Sequence, residues 1–202
     1  MVTHLTIVLP GRGYGAEGPA LRFPRLALEE LGAGTVIVEY PAERELMNGR
    51  ESLAVLHRSV STQVETFVAE AQPAAVTFLA KSLGTIGLAT LDDPRNLAGN
   101  VDAIWITPIF GQEPVWSGAI RQGLRSLLVA GEADPLHEPE RYEQVRRALG
   151  ADSLLLRGAD HSLEVPGDVL ATIDGLRSLV LAVRAFAASD RAANRTTAAG
   201  DP

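Results

Sequence analysis

Ser82, Asp134 and His161 each stand just after a short apolar run, in the loops Ala80-Lys81-Ser82-Leu83-Gly84, Gly131-Glu132-Ala133-Asp134-Pro135 and Gly158-Ala159-Asp160-His161-Ser162. A serine hydroxyl is a poor nucleophile unless a base takes its proton and an acid fixes the tautomer of that base. These three residue types, in the chain order serine, acid, histidine, are therefore candidates for nucleophilic catalysis. Each also has an ordinary alternative: Ser82 could cap a helix, Asp134 could shape a turn, and His161 could be a plain loop residue. The other three histidines compete poorly as a base. His4 sits at a strand start on the opposite edge and His57 within a long helical stretch; His137, in the loop of Asp134 itself, is the serious rival.

The elements that must position them follow from apolar patterning. Strands are predicted at Thr3–Leu9, Thr35–Glu39, Ala75–Leu79, Val101–Ile106, Ser126–Ala130 and Ser153–Leu156. Most are almost continuously apolar, as strands buried on both faces should be. Helical periods are read at Pro19–Leu31, Arg44–Ala71, Leu83–Leu91, Pro114–Gln122, Pro139–Leu149 and Gly167–Ala188. Strand–helix alternation predicts an α/β fold, a mostly parallel six-stranded sheet with helices on both faces. We expect one domain over 1–189 and a flexible tail over 190–202. In an open parallel sheet ligands bind beyond the carboxyl ends of the strands. The loops after the first, third, fifth and sixth strands are thus expected to meet at one rim.

The turn around Ser82 has the small residues Ala80 and Gly84 two positions to either side. A sharp strand-to-helix turn with an exposed serine needs that spacing. The helix that follows aims its free N–H groups back at the serine, which makes the Leu83 N–H a candidate oxyanion donor. Tyr14, Phe110, Trp116 and His137 fall on loops that would rim the pocket and are candidate substrate contacts, with packing an equal alternative for each; Trp105, inside a strand, is expected in the core.

Composition narrows the rest. The chain has 202 residues, 46% hydrophobic and 21% charged, with a net charge of −7. Its longest basic cluster is Arg146-Arg147, so neither nucleic acid nor an anionic membrane is an expected partner. The absence of cysteine removes disulfides, thiol nucleophiles and Cys-ligated zinc. No metal site is expected, because no two histidines share a helical or loop spacing. No apolar stretch approaches the roughly 20 residues of a membrane span, and no signal peptide is read before Leu5, so a cytoplasmic location is expected. Gly13-Tyr14-Gly15-Ala16-Glu17-Gly18 formally matches a dinucleotide fingerprint, but the helix is predicted to start only at Pro19, after the motif has ended. Lys81-Ser82 lacks the upstream glycines of a phosphate loop.

From about Thr3 to Ala188 the sequence resembles the α/β-hydrolase superfamily, through VLPGRGYGAEGPAL, TFLAKSLGT, LLVAGEADPLHEP and LLRGADHSLE. It is most similar to compact bacterial members that lack a large cap domain and have a Lys-Ser-Leu-Gly elbow. The resemblance implies a serine hydrolase, a carboxylesterase or thioesterase forming an acyl-enzyme on Ser82, with a small acyl compound as substrate and no cofactor. It also implies the Arg12 N–H as second oxyanion donor. Two departures stand out: Ala80 replaces the usual first glycine of the elbow, and Pro10-Gly11 replaces a common His-Gly. The two antiparallel strands that often open this fold are also missing. Acyl transfer, a lyase or dehydratase step, or a non-catalytic binding role on the same fold remain the alternatives.

Overall fold

The structure is a computed structural model that describes the backbone of residues 2–40 and 50–198 and the side chains of residues 2–40 and 53–189. Its strands are β1 (His4–Leu9), β2 (Gly34–Ile37), β3 (Ala75–Lys81), β4 (Asn100–Ile106), β5 (Arg125–Gly131) and β6 (Asp152–Leu156). Its helices are α1 (Pro19–Glu30), α2 (Arg50–Ala71), α3 (Leu83–Thr90), α4 (Glu113–Gln122), α5 (Pro139–Leu149) and α6 (Val169–Ala198). The strands form one sheet in the order β2-β1-β3-β4-β5-β6, and every pairing is parallel. The order reverses between β1 and β3, the point beyond whose carboxyl ends open parallel sheets bind their ligands.

Alternate residues of the same strands feed two separate cores, which is why the strands read as unbroken apolar runs. Leu5, Ile7, Leu9, Val76, Phe78, Ala80, Ala103, Trp105, Leu128 and Ala130 pack beneath α2, α3, α4 and α5. Val8, Leu79, Ile104, Ile106, Leu127 and Val129 pack against α1 and α6 on the opposite face.

Boundaries differ from expectation in informative places. β3 runs two residues past Leu79, because Ala80 and Lys81 pair with Trp105 and Ile106. β2 stops at Ile37, although the Val38 N–H still donates to the Val8 carbonyl at 2.9 Å. A 3-10 turn at Pro94–Leu97 was not expected. α2 is described from Arg50, so the expected start at Arg44 lies outside the described residues. The backbone of α6 continues to Ala198, past the expected end at Ala188 and into the segment expected to be a flexible tail. Among the described residues, no helix is long and apolar enough to cross a membrane.

Candidate active site

The geometry begins at a strained residue. Ser82 links β3 directly to α3 with φ 51° and ψ −112°, a left-handed region that costs a non-glycine residue about 1–3 kcal/mol and persists only when its surroundings fix it. They do so here. The Ser82 N–H donates to the Ile106 carbonyl at 3.1 Å, and the Ser82 carbonyl accepts from the Thr85 N–H at 2.8 Å and from Thr85 Oγ1 at 2.6 Å. The turn also brings α3 against the end of β1. A methyl group on Gly84 would lie 2.0 Å from the Leu9 carbonyl oxygen, so glycine is required by close approach and not by its torsions.

The loops after β5 and β6 are joined by main-chain bonds. Glu132 N–H donates to the Leu156 carbonyl at 3.0 Å and Ala133 N–H to the Ala159 carbonyl at 2.9 Å. Gly131 permits this contact, since a methyl there would lie 2.2 Å from the Ala159 carbonyl oxygen. Asp160 folds the following turn: its Oδ1 accepts from the N–H groups of Ser162 at 2.8 Å and Glu164 at 3.1 Å.

These loops bring the three candidates together. His161 Nε2 lies 2.8 Å from Ser82 Oγ, and His161 Nδ1 lies 2.7 Å from Asp134 Oδ2. A buried carboxylate only accepts, so Nδ1 carries the proton and Nε2 is left to accept from the serine hydroxyl. The other oxygen of Asp134 accepts the Leu136 N–H at 2.8 Å. The Asp134 side chain is 3% exposed and that of His161 is 28% exposed. The carboxylate is sealed while the imidazole remains reachable from solvent.

No family model matches the sequence, and no curated protein matches it. Solved structures do match in shape. An α/β serine hydrolase homologue from Coxiella burnetii is 18% identical with a TM-score of 0.61, covering 88% of this chain and 84% of that one. Est1E from Butyrivibrio proteoclasticus, with ferulic acid bound, is 14% identical with a TM-score of 0.65, covering 93% and 89%. An α/β serine hydrolase without a lid from Xanthomonas campestris is 17% identical with a TM-score of 0.55, covering 90% and 82%. The chain has the α/β-hydrolase fold.

Ser82 immediately precedes α3, and Leu83 is the first residue of that helix. Its N–H is one of the four that no intrahelical carbonyl reaches. Arg12 lies at the tip of a tight turn after β1, closed by two bonds between Gly11 and Tyr14 at 3.1 and 3.3 Å. Gly11 packs so near the elbow that a methyl there would lie 3.3 Å from Ser82 Cβ. Both oxyanion candidates therefore belong to segments beside the hydroxyl.

The four candidate substrate contacts divide. Phe110 is corrected: it is 1% exposed and packs between Trp105 and Tyr142, with ring centroids 6.3 and 6.4 Å away. The chain after β4 turns back into the core at this point, so the ring faces its neighbours and not a pocket. Tyr14 is half-buried, and its hydroxyl accepts the Ala20 N–H at 2.9 Å near the start of α1. Trp116 is half-buried with the Arg141 guanidinium 4.8 Å over its ring. His137 stands edge-on to Tyr142 at 5.1 Å; burial lowers its pKa, opposed by the charge of Asp134. It is not the histidine that reaches Ser82. Among the described residues no cluster of three His, Asp or Glu could hold a metal ion, and α1 starts at Pro19, beyond the glycine motif.

One residue escaped the sequence reading. Lys81 is 1% exposed, at the end of a strand that is otherwise apolar but for Thr77. Its Nζ donates to Thr107 Oγ1 at 3.0 Å and to the His161 carbonyl at 2.7 Å, and lies 4.5 Å over the Tyr14 ring. Burial lowers its pKa to about 8, against the opposing charges of Asp134 and Asp160. A charged residue closing a buried strand was the available signal.

Proposed function

We propose that the chain is a serine hydrolase that cleaves a carboxylic ester or thioester through an acyl-enzyme on Ser82. The observation that carries this reading is the unbroken hydrogen-bonded chain from Asp134 through His161 to a hydroxyl held on a strained strand-to-helix turn. His161 Nε2 takes the hydroxyl proton as Oγ attacks the acyl carbon. Asp134 stabilises the imidazolium that forms, and the N–H groups of Leu83 and Arg12 hold the developing oxyanion. The imidazolium then gives its proton to the leaving alcohol or thiol. Water repeats the sequence against the acyl-enzyme, with His161 again as base, and returns the free serine and a carboxylic acid. Shape likeness to esterases such as Est1E supports the choice of acyl chemistry, and the partly exposed imidazole suits a small or accessible substrate.

Hydrolysis of short p-nitrophenyl esters and labelling by a fluorophosphonate test the reading together. Ser82→Ala should lower ester turnover by about 10⁴-fold or more and abolish labelling. Labelling retained in that variant would remove Ser82 from its role.

A further inference from the structure

Lys81 holds a buried positive charge without a carboxylate beside it: no Asp or Glu of the described residues lies within ion-pair distance of Nζ. The ammonium is met by a hydroxyl, a main-chain carbonyl and an aromatic face. Burying an unpaired charge is unfavourable, and an apolar side chain of similar length would fill the same space without that penalty. Packing therefore does not account for a lysine here.

Its contacts account for it better. Tyr14 belongs to the loop after β1, Thr107 to the loop after β4, and His161 to the loop after β6, while Lys81 itself is bonded to Ser82. Thr107 is held at φ 43°, a left-handed conformation unusual for a β-branched residue, and its N–H donates to the Val129 carbonyl at 2.7 Å. The titratable groups that face the ammonium are Tyr14 on the β1 side, Asp134 on the β5 side and Asp160 and His161 on the β6 side. One side chain thus fixes the main chain of the candidate base relative to the strand that ends in the nucleophile. A charge-assisted bond is about twice as strong as a neutral one.

We infer that Lys81 is a positioning residue that pins the His161 carbonyl to the Ser82 strand, so that the imidazole meets the hydroxyl in a reactive geometry. This rests on the hydrolase reading. The test is the rate of fluorophosphonate labelling in Lys81→Met and Thr107→Val. In Lys81→Met the saturating labelling rate should fall at least about tenfold, because a displacement of about 1 Å between reacting groups costs up to about a hundredfold. The half-saturating probe concentration should stay within about twofold, and labelling should still run to completion. A space-filling role would instead reduce the fraction of sites that ever label and leave the rate of each intact site unchanged. Thr107→Val removes one acceptor only and should slow labelling about threefold, in line with the loss of a single modest hydrogen bond. If Lys81→Met does not fold, an unchanged rate in Thr107→Val overturns the inference. A wild type that never labels would remove the hydrolase reading and this inference with it. A wild type that labels, beside variants of unchanged rate, overturns this inference alone.

Discussion

Two charged residues are buried on the same face of the sheet, at opposite ends of adjacent strands, and they are met by different kinds of partner. Asp102, near the amino end of β4, is 4% exposed and meets the Arg125 guanidinium at 2.8 Å. Arg125 is partly exposed, lies over the Phe186 ring, and also donates to Ser189 Oγ on α6 at 2.6 Å. Lys81, at the carboxyl end of β3, has neutral acceptors only. At the amino end a charge is cancelled by its opposite and the result is cohesion between β4, β5 and α6. At the carboxyl end the ammonium has no directly bonded counter-ion, and Asp134 and Asp160 act on it only from beyond ion-pair distance. Where a fold only needs to hold together, ion pairing suffices; a buried ammonium without a direct counter-ion is tolerated where chemistry could use it.

The largest effect of a single substitution is expected at Asp134. Asp134→Asn keeps the size of the side chain but presents an amide that no longer fixes the imidazole tautomer. Ester turnover should fall by about 10³–10⁴-fold, while the thermal midpoint moves by only a few degrees. Steady-state kinetics beside a melting curve checks both halves. A fall in turnover matched by global unfolding would make Asp134 a structural residue like Asp102.

Much of this was legible in the sequence because the sheet is buried on both faces. Such strands have no solvent side, so runs such as Thr6-Ile7-Val8-Leu9 and Ala103-Ile104-Trp105-Ile106 announce themselves without alternation. Ser82, Asp134 and His161 were legible for a related reason: each follows a strand, and parallel strands bring their carboxyl ends to one edge. Phe110 was misread because position in a loop does not tell which way the loop folds, and here it folds inward. Lys81 was missed because its main partner is a carbonyl 80 positions away, and a main-chain acceptor leaves no trace in residue type. The alternation of β3 does place Lys81 with Thr77 and Leu79 on the α1 and α6 face, so its burial could have been read, but its contact could not. The continuation of α6 past Ala188 was hidden because the segment lacks an apolar stripe, although it is rich in alanine and arginine, which favour helix.

Arg125→Met leaves the Asp102 carboxylate buried beside an apolar group, whereas Asp102→Asn leaves a guanidinium that can turn to water. The first should cost about 2 kcal/mol in urea unfolding, below the 3–5 kcal/mol of a fully buried pair because Arg125 is partly exposed. The second should cost about 1 kcal/mol or less. Both should leave ester turnover per folded molecule within about twofold of wild type, as expected of sites that do not touch the reacting groups. Equal costs would mean that the two partners are equally desolvated.

The smallest effect discriminates between the two ends by pH. A lysine at about 8 in the folded chain, against its ordinary 10.5, binds its proton less tightly folded than unfolded. Below pH 8 both states are protonated and the full cost of burying the charge is present. Between pH 8 and 10.5 unfolding takes up a proton, so this group makes stability rise with pH. Tyr14, Tyr40 and Tyr142 act in the opposite sense, since burial raises their pKa values and unfolded tyrosines begin to ionise near pH 10. The clean window is therefore about pH 8 to 9.5, where the Lys81 contribution is on the order of 1–2 kcal/mol. Urea unfolding at pH 7.5 and 9.5 should give that gain in the wild type and in Asp102→Asn, whose substitution lies at the paired end. It should disappear in Lys81→Met, which has no proton to lose. A gain that survives in Lys81→Met would mean that the ammonium is solvated or paired, and the distinction between the two ends would fail.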